Sequence, residues 1–317
     1  NNEVYDLMYD LGIYVDAWSS NCENIEVYNN IVYNTSIGIA LSSESGGVLQ
    51  NIDVFNNLVY NNRENGIVIS NWDQNGLRKD INITNNTIYQ NGEPGSWGGG
   101  IFIETANVQN IDIRNNICSD NAEWQIAVNT MNSITVDYNL IDQFMGWNDP
   151  GELEIKGTNF LEADPLFTDA ANKDFHLQVN SPCIDAGNFL NTPDFDFDYL
   201  IRPYDGDNNG SALFDIGAHE YGSNPFDIED DRVKTSGIGQ IYPNPCSGII
   251  YLPIESLCNN ELLVELIDVH GHIFPLLKKD NQGPSRLLFD LSDYSGGIYF
   301  MRIKYGNYIK VEKLIIR

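Results

Sequence analysis

The stretch NIEVYNNIVYN at residues 24–34 returns almost unchanged as NIDVFNNLVYN at residues 51–61. Its centre has further copies in the chain, NNEVY at 1–5, NNTIY at 85–89, NNICS at 115–119 and the degraded YNLID at 138–142. The second Asn residues of successive copies are 28, 27, 29, 30 and 23 positions apart. A period of this length is typical of stacked supersecondary units.

Each repeat contains short segments in which Ile and Val alternate with polar residues. One precedes the Asn pair, as in NIDV at 51–54, and another lies between copies, as in IGIALS at 37–42 and GGIFIE at 99–104. Alternation with a period of two predicts strands rather than helices. The pattern therefore predicts an all-β fold, a right-handed parallel β-helix over residues 1–143 with coils about 4.8 Å apart.

The Asn pair is expected to bend the chain and to stabilise the stack. Asn tolerates the left-handed backbone region and can hydrogen-bond to the Asn of the next coil. Because the last copy keeps Asn139 but has Tyr138 before it, we expect the second Asn of each pair to point inward and form a ladder. The first copy begins at residue 1, so we expect earlier coils to precede it.

Charge and cysteine content narrow the function classes. The net charge is −28, and residues 1–225 carry 7 basic and 33 acidic side chains, against 10 and 12 in residues 226–317. This acidity disfavours a nucleic-acid partner, and no apolar run predicts a transmembrane segment. The five cysteines show no CxxC spacing, so we expect single buried thiols, with a local Cys246–Cys258 pair as an open alternative.

Residues 144–225 lose the period and contain DPLF at 164–167, SPCIDAG at 181–187 and DIGAHEYG at 215–222. This set resembles the choice-of-anchor type of module that follows the β-helix in many secreted bacterial proteins. The resemblance implies that the segment finishes and caps the helix.

A polar linker at 226–236 leads into YPNPCSG at 242–248, DVHG at 268–271 and a Gly- and Lys-containing finish at 297–315. These motifs resemble the C-terminal type A sorting domain of the type IX secretion system of Bacteroidota. The resemblance implies that residues 237–317 form a small β-sandwich that engages the type IX machinery and sends the protein out of the cell or to the outer-membrane surface. Alternating apolar residues between Gly, Pro and Asn turns predict the same sandwich.

Fixing the coil register on the Asn residues aligns a polar column. It lies three positions after the Ile that opens each second strand and comprises Asp16, Ser42, Ser70, Glu104 and Asn129. Inserted turns add Glu44 and Asp73, together with Trp18, Trp72 and Trp97. Such a column beside projecting loops predicts a groove for an extended polysaccharide, since Trp rings cover sugar faces and carboxylates do acid–base work.

We therefore name two sets of candidate residues. The catalytic candidates are Asp16, Glu44, Asp73 and Glu104, and the substrate-binding candidates are Trp18, Ser42, Ser70, Trp72, Trp97, Arg78 and Lys79. Asp16 and Glu44 are expected to hold their carboxyls about 5–9 Å apart, within the range of glycosidase pairs. Arg78 and Lys79 keep a polysaccharide lyase open as the alternative reaction, and a solvated acidic face or a non-catalytic glycan-binding protein is the alternative to an enzyme.

The segment GIYVDAW at 12–18 resembles the Asp-bearing strand of some β-helix glycosidases. More broadly, residues 1–145 resemble bacterial β-helix proteins related to pectate-lyase-like enzymes. The resemblance implies a carbohydrate-active protein.

The segment DGDNNG at 205–210 has the D-x-D-x-N-G pattern of calcium loops. It makes Asp205, Asp207 and Asn209 candidate Ca²⁺ ligands, with Asp215 as the acid nearest the end of the loop; a solvated turn is the alternative. No organic cofactor is expected. The histidines, at 176, 219, 270 and 272, lie outside the coils, and we do not expect a histidine-based site.

Overall fold

The structure is a computed structural model that describes residues 2–72, 76–95, 97–149, 151–223, 241, 243–253, 262–268, 272–276, 280–281, 286–305 and 308–317. The chain divides into two compact units, Asn1–Asn224 and Pro225–Arg317. The predicted linker and Cys258 lie outside the described residues. Among the described cysteines, Cys22, Cys118, Cys183 and Cys246 are free thiols, so the alternative Cys246–Cys258 pair is not formed in this structure. Cys118 and Cys183 are buried, as expected, whereas Cys22 is only partly buried.

The described residues of the first unit form strands and one turn of 3-10 helix, Ala170–Asn172. Its strands are β1 (Glu3–Asp16), β2 (Cys22–Tyr28), β3 (Ile31–Ser42), β4 (Leu49–Phe55), β5 (Leu58–Tyr60), β6 (Ile67–Ile69), β7 (Arg78–Thr84), β8 (Thr87–Tyr89), β9 (Ile101–Ile103), β10 (Val108–Arg114), β11 (Ile117–Ser119), β12 (Ile126–Val128), β13 (Ile134–Asp137), β14 (Leu140–Ile141), β15 (Asn148–Asp149), β16 (Glu152–Glu154), β17 (Phe167–Asp169) and β18 (Asp174–Leu177).

The chain winds through three parallel sheets, and each coil adds one strand to each sheet. Sheet 1 contains β5, β8, β11 and β14, and sheet 2 contains β6, β9 and β12. The long strands β1 and β3 run through both of these sheets. Sheet 3 contains β2, β4, β7, β10 and β13. The predicted parallel β-helix is therefore confirmed, with three strands in each coil.

Apolar residues of equal position stack inside the coils. In sheet 3 the inward row consists of Ile25, Ile52, Ile81, Ile111 and Ile134. In sheet 2 the row of Ile39, Ile67, Ile101 and Ile126 is fully buried. Each step of the stack removes one β-branched side chain from water, a gain of about 1.5–3 kcal/mol for a full side chain.

The predicted Asn ladder is confirmed. Each side-chain amide nitrogen donates to Oδ1 of the next Asn at 2.9–3.0 Å, through Asn2, Asn30, Asn57, Asn86, Asn116 and Asn139. The residue before each ladder Asn from Asn30 onward is left-handed, with φ of 51–55° at Asn29, Asn56, Asn85, Asn115 and Tyr138. The ladder satisfies the side-chain amides of its buried Asn residues without water.

A second amide ladder, which the sequence reading missed, runs five residues after the first. The side-chain nitrogen of Asn62 donates to Asn91 at 2.8 Å, and that of Asn91 donates to Asn121 at 3.0 Å. Thr35 closes one end by donating to Asn62, and Gln125 closes the other by accepting from Asn121. The sequence indicates this second ladder, because an Asn stands five positions after each of Asn57, Asn86 and Asn116.

The segment after the coils does more than cap them. The hairpin of β15 and β16 lies antiparallel on β12 and ends sheet 2.

Residues 188–217, here called the lateral segment, then run along the flank of the helix. Their carbonyls accept from the outward Asn side chains of four turns, at 2.7 Å from Asn29 to Phe197, 2.8 Å from Asn56 to Phe195, 3.0 Å from Asn85 to Asp215 and 2.7 Å from Asn115 to Asn188. The segment therefore also lines the flank of the helix, because the left-handed turns present amide donors there.

The second unit contains two antiparallel sheets, as predicted for a β-sandwich. Its strands are β19 (Ile249–Pro253), β20 (Leu262–Asp268), β21 (Ile273–Pro275), β22 (Asp280–Asn281), β23 (Arg286–Asp290), β24 (Gly297–Tyr305) and β25 (Tyr308–Ile316). One sheet has the order β19-β23-β22 and the other β21-β20-β24-β25. Side chains from both sheets, including Leu252, Phe289, Leu266 and Met301, share one buried core.

Candidate functional site

The predicted polar column lies where the strands of sheet 2 end. Asp16 pairs with Ser42 between β1 and β3. The backbone N–H groups of Ser70, Glu104 and Asn129 each donate to a residue of the preceding coil, at 2.8–3.0 Å. The residues thus occupy the same position in successive coils, as the register predicted.

The column is not an open surface along its whole length. Ser42 and Ser70 are fully buried, and the hydroxyl of Ser70 donates to that of Ser42 at 2.9 Å. Their assignment as substrate contacts is therefore corrected, because the two hydroxyls satisfy each other inside the corner of the coil. The acids on either side of these two serines, Asp16 and Glu104, are only partly buried.

An acidic and aromatic cluster forms around Asp16, and we call Tyr14, Asp16, Glu44 and Trp72 the Tyr14 cluster. The backbone N–H of Glu44 donates to Oδ1 of Asp16 at 3.2 Å, and the Tyr14 hydroxyl donates to Oε1 of Glu44. The rings of Tyr14 and Trp72 are 6.0 Å apart between centroids. Burial, and then the hydrogen bond to Glu44, raise the pKa of Tyr14, so this hydroxyl keeps its proton. Sequence reasoning missed Tyr14, although its alternation with Ile13 and Val15 points it outward.

Glu104 lies apart from this cluster. It is three coil steps from Asp16 in the column, which separates the two by about 14 Å and leaves them too distant to act as one pair. The backbone N–H of Asn71 donates to its Oε2 at 3.0 Å. Burial raises the pKa of Glu104, which favours its protonated form. Asp73, the remaining acidic candidate, lies outside the described residues.

The two basic candidates lie on opposite faces of sheet 3. Arg78 pairs with the inward residues Leu49 and Val108 and is fully buried, and one of its terminal nitrogens donates to the carbonyl of Gly76 at 2.6 Å. Burial lowers its pKa to about 10. Lys79 faces outward, with its nitrogen 4.0 Å from Asp80. Arg78 is therefore corrected from a substrate contact to a buried charge, and Lys79 lies on the outer face of sheet 3, paired with Gln50 and Gln109.

The aromatic candidates are divided between two places. Trp97 packs on Phe102 and Trp124 with centroid distances of 5.2 and 5.4 Å, and Trp124 packs on Trp147 at 4.6 Å. This group covers the outer face of sheet 2 and leaves Trp97 40% exposed. Trp18 is 56% exposed on the turn after β1. Trp72 is thus the predicted Trp that lies beside the acidic pair.

A further cleft lies on another face, outside sheet 3, and the sequence reading missed it. Its volume is about 460 Å³, and it is lined by Asn51, Asp53, Asp80, Asn82, Asn110, Asp112, Arg114, Thr135, Leu190 and Asn191. Arg114 pairs with Asp112 at 2.7 Å, and Asn191 of the lateral segment donates to Asp112 at 2.7 Å. The sequence indicates this polar cleft, because every sheet 3 strand has a polar residue at its outward position, as in Asp53 and Asn82.

The predicted calcium loop brings together a different set of acids from the one expected. One oxygen each of Asp185, Asp205 and Asp207 lies within 4.8 Å of the others. Asn209 donates to both loop acids through its backbone, and its side chain also donates to Asp207. Asp215 points elsewhere, since its carboxylate accepts from the backbone of Asp185 and Tyr221, and burial raises its pKa. Asp185 therefore replaces Asp215 in the candidate ligand set.

Comparison with known protein families agrees with both architectural predictions. Residues 1–141 match the model of the right handed beta helix region, and residues 240–317 match that of the secretion system C-terminal sorting domain. No curated protein matches the chain. Among the described residues, no helix has the length and apolarity needed to cross a bilayer. The chain is thus a β-helix protein that carries a type IX sorting domain, which makes it a secreted or cell-surface protein of Bacteroidota type.

Proposed function

We propose that this protein is carbohydrate-active and degrades a polysaccharide at the Tyr14 cluster. The observation that carries the proposal is the contact of Asp16 and Glu44 across neighbouring coils, beside the Trp72 ring. Two carboxylates and an aromatic platform form the set that a glycoside hydrolase needs. Export from the cell gives such a site access to polymers too large to enter.

The burial of Arg78 favours hydrolysis over elimination. A lyase requires a base that reaches the carbon next to the uronate carboxyl, and Arg78 has no exposed surface. In the proposed reaction one of Asp16 and Glu44 protonates the leaving oxygen, and the other activates water or attacks the sugar directly. The Tyr14 hydroxyl holds the Glu44 carboxylate in place.

The experiment offers neutral and acidic polysaccharides to the purified protein and follows reducing ends and the absorbance of unsaturated uronate. We expect reducing ends without unsaturation, and loss of at least about 100-fold in rate for Asp16→Asn or Glu44→Gln, since acid–base groups contribute about 10²–10⁴-fold. Glu23→Gln, an exposed acid on sheet 3, is the matched control. Unsaturated product, or full activity in both variants, would contradict the proposal.

The sheet 3 cleft supports glycan binding without catalysis as a second candidate function. Its wall of Asn and Asp side chains offers hydrogen-bond donors and acceptors suited to sugar hydroxyls. Affinity electrophoresis distinguishes the two sites: Asn82→Ala would abolish retention by the cleft, whereas Glu44→Gln would leave it unchanged. If neither variant alters retention and no polymer is cleaved, both candidates fail.

We also propose that Asp185, Asp205 and Asp207 hold Ca²⁺, a cation that prefers carboxylate oxygens. Calcium would then tie the loop at 205–210 to residue 185 and would raise the melting temperature of the first unit through mass action. Asp205→Asn should remove that rise, and Ser211→Ala, in the same loop, should keep it. An unchanged melting temperature of the unmutated protein in excess Ca²⁺ would overturn the proposal.

A further inference from the structure

Two histidines and an aspartate from three separate segments converge beside the lateral segment. The Nε2 atom of His176, in β18, is 2.8 Å from Oδ2 of Asp198, and Nδ1 of His219 is 3.1 Å from the same oxygen. The two imidazole rings are in contact, with centroids 4.0 Å apart and their planes tilted by 31°. One ligand atom from each residue lies within 4.8 Å of the other two.

A fourth residue orients this group from behind. The Nδ1 atom of His176 is 2.5 Å from Oδ1 of Asp174, and the same oxygen accepts the backbone N–H of His176 at 3.2 Å. A carboxylate on the far nitrogen of an imidazole is the arrangement that fixes the tautomer of metal-binding histidines and raises their basicity. It leaves Nε2 as the atom that faces Asp198 and His219.

The three side chains differ in exposure in a way that suits binding from solvent. The His219 side chain is 4% exposed, and its ring packs against Phe197 at 5.4 Å. The side chains of His176 and Asp198 are 54% and 39% exposed. One ligand is therefore held rigidly by the core while the other two are open to an arriving ion.

We propose that His176, Asp198 and His219 form a binding site for a divalent transition-metal ion of the Zn²⁺ class, with Asp174 as the supporting carboxylate. Two imidazole nitrogens and one carboxylate oxygen favour Zn²⁺, Co²⁺ or Ni²⁺ over Ca²⁺ or Mg²⁺, which prefer oxygen ligands alone. Ligands of a tetrahedral zinc ion are about 3.3 Å apart for bonds of about 2.0 Å. The three ligand atoms lie within 4.8 Å of one another, so small side-chain rotations would bring them to this spacing, and water would take the fourth position.

A bound metal would stabilise the fold by linking separate segments of the chain. His176 belongs to β18, whereas Asp198 lies in the lateral segment and His219 lies just after it. A metal bound by all three would fix this segment to the two-stranded sheet of β17 and β18. The proposal is independent of the carbohydrate activity, because none of its residues belongs to the Tyr14 cluster or the sheet 3 cleft.

The test uses the full chain, stripped of metal by a chelator and titrated with Zn²⁺ in the presence of excess Mg²⁺ by calorimetry. We expect one equivalent of Zn²⁺ per chain, and a visible absorption band of tetrahedral type when Co²⁺ is used instead. His176→Gln and Asp198→Asn should each lower the affinity at least tenfold. Asp174→Asn, which removes only the supporting carboxylate, should lower it by about 10–100-fold.

A matched control separates this site from adventitious binding to surface histidines. His272 makes a similar contact with Asp268, at 2.8 Å, so His272→Gln should leave the stoichiometry and affinity unchanged. Tryptophan fluorescence verifies that each variant is folded before titration. The proposal is overturned if the unmutated protein takes up no Zn²⁺, or if folded His176→Gln and Asp198→Asn proteins bind it as tightly as the unmutated protein does.

Discussion

Replacement of Asn86 tests whether the amide ladder supports the β-helix. Asn86 is fully buried. Its Oδ1 accepts from the backbone and side-chain nitrogens of Asn57, at 3.0 and 2.9 Å. Its Nδ2 donates to Val54, Thr84 and Asn116, at 2.9, 3.1 and 3.0 Å. Asn86→Ala removes all five hydrogen bonds at once.

The expected cost follows from the groups left behind. The backbone N–H of Asn57 loses its acceptor inside the coil, and the carbonyl of Val54 loses its side-chain donor. A buried polar group without a partner costs about 1–3 kcal/mol. Two such groups lower the free energy of unfolding by about 2–6 kcal/mol, a large share of the about 5–15 kcal/mol typical of a whole domain.

Urea unfolding followed by tryptophan fluorescence measures this change. The five tryptophans, at 18, 72, 97, 124 and 147, lie in the first unit, so the signal reports on the β-helix and not on the sorting domain. Asn132→Ala is the control, because Asn132 is an exposed turn residue, and it should change stability by no more than about 0.5 kcal/mol. A loss for Asn86→Ala of less than about 1 kcal/mol would refute the argument.

Three further changes test other parts of the first unit. Glu104→Gln should raise the free energy of unfolding more at pH 7 than at pH 4. Burial raises the folded-state pKa of Glu104, so its ionisation costs the unmutated protein folding free energy as pH rises. Equal differences in urea midpoint between the two proteins at both pH values would contradict this. Asn115→Gly keeps the left-handed turn but removes the contacts to residues 188–192, and hydrogen exchange there should become faster while the coil amides stay protected. Gly38→Ala places a Cβ 2.5 Å from the carbonyl oxygen of Gly66 and should lower the free energy of unfolding by about 1–3 kcal/mol. Gly296→Ala is the control: its Cβ would have its nearest contact at 3.5 Å, so the stability of the sorting domain should change little.

The repeat predicted the fold and the coil register because a solenoid encodes both in its period. Once the ladder Asn residues were aligned, the position of Asp16 relative to Ser42 followed without knowledge of any other contact. The same alignment also predicts which way the side chain of Arg78 points. Arg78 stands at the position of Leu49 and Val108, so its strand parity already indicated that it points inward.

Contacts made outside the period could not be predicted in this way. The stretch between Asp185 and Asp205 contains no sequence repeat, and only its fold brings the two carboxylates together. The same holds for His176, Asp198 and His219, which lie far apart in the sequence, and no histidine-based site was expected from it. The path of the lateral segment is set by outward Asn side chains whose partners have no repeated sequence.

That path changes how the β-helix is expected to unfold. Coils of a solenoid contact only their neighbours, so stability is approximately a sum over adjacent interfaces and the ends can open by themselves. Here one continuous segment accepts hydrogen bonds from Asn29 near one end and from Asn115 near the other. Opening either end therefore strains contacts that the segment makes with coils it leaves intact. We infer that the lateral segment couples distant coils and makes the first unit unfold as one cooperative body rather than coil by coil.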